Sequence, residues 1–118
     1  MAFRDWFKLF QNSIFVISFD REGLTLTREA STILESHHLR WDEITLVVAY
    51  LQDCFAVDQV RLKFLSKDGT AFVVTEELVG FKNLVVSLPD HLAGITDGWY
   101  ERVIAVPFDP TIHTIYKR

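Results

Sequence analysis

A chain of 118 residues, 49% of them hydrophobic, has the size of one domain with its own core. Its 12 Lys and Arg against 16 Asp and Glu leave a net charge of −4, which excludes a general nucleic-acid binder, since that needs a basic stripe to release phosphate counterions. A single cysteine, Cys54, excludes an internal disulfide.

Residues 2–10 read as a short amphipathic helix. Phe3, Trp6, Phe7 and Phe10 fall at i, i+3, i+4 and i+7 and form one aromatic stripe, with Arg4, Asp5 and Lys8 off it. Ile14 to Phe19 reads as a strand and Leu24 to Arg28 as its hairpin partner, joined by Asp20 to Gly23. Gly23 suits the left-handed position of a bulged hairpin loop. Residues 31–41 read as two short strands broken around Ser36 and His37, and Trp41 to Ile44 as a tight corner. Ile44 to Leu51 is apolar on both faces apart from Thr45, and Gln52 to Asp58 turns. Gln59 to Leu65 alternates, Lys67-Asp68-Gly69 signals a hairpin, and Thr70 to Thr75 returns.

The period then changes from two to 3.6. Phe81, Leu84, Val85 and Leu88 mark one face of a helix ended by Pro89. A second short helix follows from Gly98 to Ala105, with Asp97 placed to cap it. Pro107 and Pro110 force extended backbone before them, and Thr111 to Tyr116 forms a last strand or an ordered tail. The order predicts an α+β domain: a curled antiparallel sheet or partial barrel of about six strands, a short N-terminal helix and two C-terminal helices. No βαβ unit or Gly-rich phosphate loop is present, which disfavours a nucleotide-binding α/β fold. Strands apolar on both faces call for cover on both sides, and the aromatic helix or a second subunit would supply it, so a homodimer is expected.

The hairpin over 14–28 followed by Leu39-Arg40-Trp41-Asp42-Glu43-Ile44 resembles small bacterial domains of the pleckstrin-homology-like class, in which a similar W-x-x-I corner leads into a long strand. Glu76-Glu77-Leu78-Val79-Gly80-Phe81, then Trp99 and the Phe108 to Arg118 ending, are similar to short bacterial single-domain proteins. The resemblance covers residues 14–91. It implies a curled sheet plugged by a C-terminal helix, and a ligand- or lipid-binding face. The chain departs from the pattern in its two C-terminal helices and its extended tail. Its first hairpin loop holds Asp20, Arg21 and Glu22 in place of a basic cluster, against phosphoinositide binding.

Catalytic constellations are missing from the sequence. His37 and His38 are neighbours, so on a strand they point to opposite faces and do not ligate one metal together. His91 follows Pro89-Asp90 at a helix end, and His113 sits in the tail. No HxxxH, HExxH or paired-cysteine spacing supports zinc. The carboxylate neighbours Asp42-Glu43 and Glu76-Glu77 diverge, and no serine lies in a G-x-S-x-G elbow. No catalytic residue, metal ligand or cofactor is assigned on these grounds.

The charge is unevenly placed. Residues 1–40 carry five basic and five acidic groups, residues 61–118 seven of each, and residues 41–60 only Asp42, Glu43, Asp53 and Asp58. These four acids lie at the two ends of one strand, as two small patches. With the stripe of Phe3, Trp6, Phe7 and Phe10 they are the candidate partner-binding residues. The reading is a non-catalytic protein-interaction module of bacterial, immunity-like or adaptor-like type. Its expected partner is another protein with a basic surface. The alternatives are a pleckstrin-homology-like ligand- or lipid-binding module and a small enzyme using a His and a carboxylate. The longest apolar runs fall far short of the roughly 18 residues of a membrane span. The N-terminus has no uninterrupted apolar stretch with a cleavage site, so a cytoplasmic protein is expected.

Overall fold

A computed structural model describes residues 14–30, 33–54 and 57–118. The aromatic helix expected over 2–10, with Phe3, Trp6, Phe7 and Phe10, lies outside them. Two antiparallel sheets carry the described fold. The first orders β1 (Ile14–Phe19), β2 (Gly23–Ala30) and β3 (Ile33–Arg40) as β1-β2-β3. The second is built from β4 (Ile44–Cys54), β5 (Val57–Ser66), β6 (Ala71–Thr75) and β7 (His113–Lys117), in the order β6-β5-β4-β7. Helices α1 (Phe81–His91) and α2 (Trp99–Ile104) fall between β6 and β7.

This corrects the expectation of one curled sheet or partial barrel. Neither sheet closes, and the break falls at Trp41–Glu43, a single 3-10 turn. A continuous sheet would pair β4 with β3. Instead the corner redirects the chain, and the second edge of β4 is taken by β7, with Val47 opposite Tyr116 and Ala49 opposite His113. Among the described residues α1 is the one helix longer than six residues, so the fold is mostly sheet.

Trp41 is the joint between the layers. It is buried, and its indole Nε1 donates to the Asp20 carbonyl at 2.8 Å while its backbone N–H donates to Glu22 at 3.0 Å. Its ring stacks on His91, with centroids 4.5 Å apart and planes 4° from parallel, and Phe19 meets His91 edge-on at 5.8 Å. The end of α1 is thereby fixed to the first hairpin. Offset or edge-on aromatic pairs of this kind add to plain area burial.

Glycine acts here through space as well as conformation. Gly23 does not adopt the expected left-handed backbone; a Cβ there would sit 2.2 Å from the Leu39 carbonyl oxygen, so β2 and β3 can approach only over a hydrogen. The turn before it is held by Asp20, whose carboxylate accepts the Glu22 and Gly23 N–H groups at 2.9 and 3.1 Å. Gly80 meets both demands, with φ of 94° and a Cβ position 2.2 Å from the Ile17 oxygen. It lets the chain pass β1, where Ile17 N–H donates to Val79 at 2.8 Å, and turn directly into α1.

Other local departures have physical reasons. β3 runs unbroken through Ser36 and His37, because every residue from Ile33 to Arg40 is paired with β2. β4 and β5 extend to Cys54 and from Val57, so most of the expected 52–58 turn is strand. Pro89 does not end α1: the helix continues to His91, and Leu92 N–H still bonds to Leu88 at 2.8 Å. Burial of Leu88 and Leu92 and the His91 stack hold that last turn. Asp97 makes no cap; Gly98 is the N-cap of α2.

The core lies on the inner face of the second sheet. Val47, Ala49 and Leu51 of β4 face inward with Val60, Leu62 and Phe64 of β5 and Phe72 and Val74 of β6. Leu84 and Leu88 of α1, and Trp99 and Val103 of α2, close it. Ile44 is also buried although it has the opposite parity, because the register shifts between Ile44 and Leu46. The other face of β4 presents Leu46, Val48 and Tyr50 half-exposed. Among the described residues its second apolar face is thus only partly covered.

Two outcomes follow for stability in urea unfolding. Trp41→Ala removes the joint and lowers the unfolding free energy by about 3–5 kcal/mol, as for other buried Trp truncations. Gly23→Ala forces β3 away and costs about 1–3 kcal/mol. Gly69→Ala, at a turn where a Cβ meets nothing within 4 Å, costs less, through its φ of 89° alone.

Candidate interaction surface

The four acids singled out from sequence occupy the two ends of β4, in different circumstances. Asp42 and Glu43 sit in the 3-10 corner. Arg40 donates from Nε and a terminal nitrogen to the two Asp42 carboxylate oxygens, each at 3.2 Å, and lies 3.8 Å from Glu43. Arg118 reaches the carbonyls of Trp41 and Asp42, and Lys67 N–H bonds the Glu43 carbonyl at 2.8 Å. The hydrogen bond from Arg40 holds the Asp42 carboxyl below the usual carboxylate range, and the charges of Arg40, Lys67 and Arg118 add to it. Three cations surround two acids, so the corner presents mixed charge. The Arg40 and Asp42 side chains are 56% and 64% exposed, so their pairing contributes little to stability.

At the far end Asp53 and Asp58 are register partners across β4 and β5. Asp53 is exposed, but Asp58 is half-buried and turned into the structure. Its Oδ2 accepts the Phe108 N–H at 2.5 Å, across 50 residues of chain. Phe108 has a φ of 60°, the left-handed region that costs a non-glycine residue about 1 kcal/mol or more. Asp58 therefore fastens the 105–112 loop to the hairpin.

The histidines are dispersed. His37 and His38 are both exposed, opposite Leu26 and Thr25, and His38 Nδ1 shares a hydrogen bond with the Thr25 hydroxyl at 2.9 Å. His91 is in the aromatic stack, and His113 is half-buried beside Thr96, Trp99 and Arg102. Among the described residues no group of three His, Cys, Asp or Glu could hold a metal ion. None of the described helices is long and apolar enough to cross a membrane.

Residues 61–118 are balanced in total charge but not along their length. Residues 76–101 hold Glu76, Glu77, Asp90, Asp97 and Glu101 against Lys82 alone, a net of −4. The rest of 61–118 is correspondingly basic, with Arg61, Lys63, Lys67, Arg102, Lys117 and Arg118 against Asp68 and Asp109. The asymmetry is legible along the chain, but only the fold brings Glu76 and Glu101 to one groove.

An open groove of about 480 Å³ runs between α1 and α2. Phe81, Val85, Val86 and Tyr100 supply its apolar wall, and Glu76, Lys82 and Glu101 its polar positions. Val86 is 72% exposed, the most open large hydrophobe of the described residues. Glu76 is positioned by both of its oxygens. Oε1 accepts the Val60 N–H at 2.9 Å, Oε2 accepts the Tyr100 hydroxyl at 3.2 Å, and its own N–H returns to Val60 at 3.0 Å. Its side chain continues the β5–β6 ladder past Thr75 and pins α2 to it. Burial raises the Tyr100 pKa above the ordinary phenol value, and the charge and hydrogen bond of Glu76, then the charge of Glu101, raise it further.

No known family model, curated protein or solved structure matches this chain. The surface is therefore read from its own chemistry.

The Tyr100–Glu76 bond has a pH signature. A phenol whose folded pKa is raised stabilises the fold fully below the unfolded value near 10, and that stabilisation is lost as pH rises through the folded value. Ultraviolet titration is expected to show one tyrosine ionising later than a free phenol. Tyr100→Phe should abolish that late step and flatten the loss of stability on the alkaline side.

Proposed function

We propose that this chain is a non-catalytic protein-interaction module that docks a basic partner protein on its helical layer. The observation that carries the reading is the coincidence in one stretch of chain of a net charge of −4 over residues 76–101 and an open apolar groove with Val86 at its edge. Interfaces combine an apolar anchor with a charged rim in this way: the rim steers the encounter and the desolvated centre supplies affinity. Like-charged partners are rejected by the same rim. An immunity protein neutralising a basic toxic enzyme is one form of such a module, and an adaptor is another.

The mixed charge around Asp42 and the engagement of Asp58 with Phe108 support placing the docking face on the helices rather than at the ends of β4. Affinity capture from the source cells at low salt tests the reading. Wild-type chain should retain a protein of net positive charge, identified by mass spectrometry and then produced pure for titration. Affinity for the purified partner should fall at least tenfold in Glu101→Lys/Asp97→Lys and at raised salt, mainly through slower association. A chain that retains no protein, or a partner whose affinity is indifferent to both substitutions, would overturn it.

A further inference from the structure

We propose that β3 pairs edge to edge with β3 of a second copy of this chain, antiparallel about a two-fold axis at Ser36, and joins two three-stranded sheets into one continuous sheet. This surface is separate from the groove between α1 and α2, and the proposal goes beyond the reading of that groove.

The two open sheets have four edge strands, and three of them are occupied or short. On β1, Ile17 N–H donates to Val79 at 2.8 Å, and Gly80 packs against the Ile17 carbonyl. On β7 the Ile115 carbonyl, at mid-strand, accepts the Thr96 N–H at 2.7 Å. β6 has five residues, and the Thr75 carbonyl at its end accepts the Leu78 N–H at 3.1 Å. β3 differs. It has eight residues with no Pro, Gly or register shift, and among the described residues no strand pairs its outer edge. Such an edge is a template for another strand. Trp41 N–H donates to Glu22, so by alternation the odd-numbered residues of β3 turn their backbone groups to β2. Those of Leu34, Ser36, His38 and Arg40 therefore point outward. Glu35, Ser36, His37 and His38 are all exposed, so neither face of the edge is covered there. The exposed apolar residues Val79, Val86, Phe108 and Ile112 belong to a turn, a helix and a loop, which offer no ladder to extend.

Side chains select a second copy and set the register. Residues opposite one another in an antiparallel pair share one hydrogen-bonding type, so the axis falls on a residue rather than between two. An axis at Glu35 opposes Glu35 to its own copy, and like charges directly opposite are destabilising. An axis at His37 opposes Glu35 to Leu39, which is already buried in its own sheet. An axis at Ser36 opposes Glu35 to the partner's His37, and His37 to the partner's Glu35, so two carboxylates accept from two imidazoles. These are non-hydrogen-bonded positions, where side chains across a pair lie closest. Within its own sheet Glu35 stands opposite Arg28 and His37 opposite Leu26, and among the described residues neither Glu35 nor His37 makes an ion pair.

Sedimentation of the full chain at tens of micromolar tests the proposal, with twice the 13.7 kDa of one chain expected. Ser36→Pro removes an outward N–H and no backbone bond to β2, so it should give a folded monomer by circular dichroism. His37→Glu should weaken the dimer at least tenfold. Glu35→Lys/His37→Glu, which restores opposite charges across the axis, should recover it to within threefold of wild type. These two variants decide the matter where Ser36→Pro fails to fold. A wild-type monomer at this concentration would overturn the proposal. So would a dimer that His37→Glu leaves unchanged, which would seat the second copy on another surface such as Phe108 and Ile112, or a loss that the double substitution does not recover.

Discussion

The buried indole of Trp41 is the interaction on which the rest of the structure depends. One side chain and its backbone touch three parts of the chain: the first hairpin through Asp20 and Glu22, α1 through His91, and the C-terminal residue through Arg118. These contacts span sequence separations of 21 and 77 residues in their two side-chain hydrogen bonds, so they close long loops, and the entropic cost of closure is shared among them. A donor N–H that is satisfied on a carbonyl allows the large ring to be buried without an orphaned polar group. The corner then ends one sheet and starts another, which leaves both edges of β4 for β5 and β7.

From that division comes the helical layer. With β7 closing the edge of β4, the chain between β6 and β7 must cross the sheet, and α1 and α2 are what cross it. Their apolar sides fill the core with Leu84, Leu88, Trp99 and Val103. Asp90 and Glu101 on these helices stay exposed, since charged groups stay in water unless paired. Glu76 is the exception: half-buried, it gives one oxygen to the strand and one to Tyr100, and so ties α2 to β5.

Periodicity made much of the secondary structure legible. The alternation in β5, the Lys67-Asp68-Gly69 turn and the 3.6-residue pattern beginning at Phe81 all correspond to elements where they were read. Failures came where a distant contact overrides a local preference. Pro89 is carried inside α1 by the burial of Leu88 and Leu92 and the stacking of His91. Ser36 and His37 stay in strand because β2 pairs them across their full length. Gly23 is required by the approach of β3, a reason that no turn rule contains. The surface was less legible, because whether an acid is free or engaged depends on what the fold brings to it: Arg40, Lys67 and Arg118 to Asp42, and the Phe108 backbone to Asp58.

By itself, then, the sequence determined the number and order of most elements, the apolar positions of the core and the total charge, since these follow from side-chain chemistry at fixed spacing. Tertiary structure alone decided that the strands divide into two open sheets. It also decided that Glu76 and Glu101, from a nominally balanced half of the chain, line one groove beside the helices. The reason is the same for both. Strand partnership and surface neighbourhood are set by contacts between residues far apart in sequence, such as Trp41 with Asp20, Val47 with Tyr116 and Glu76 with Tyr100.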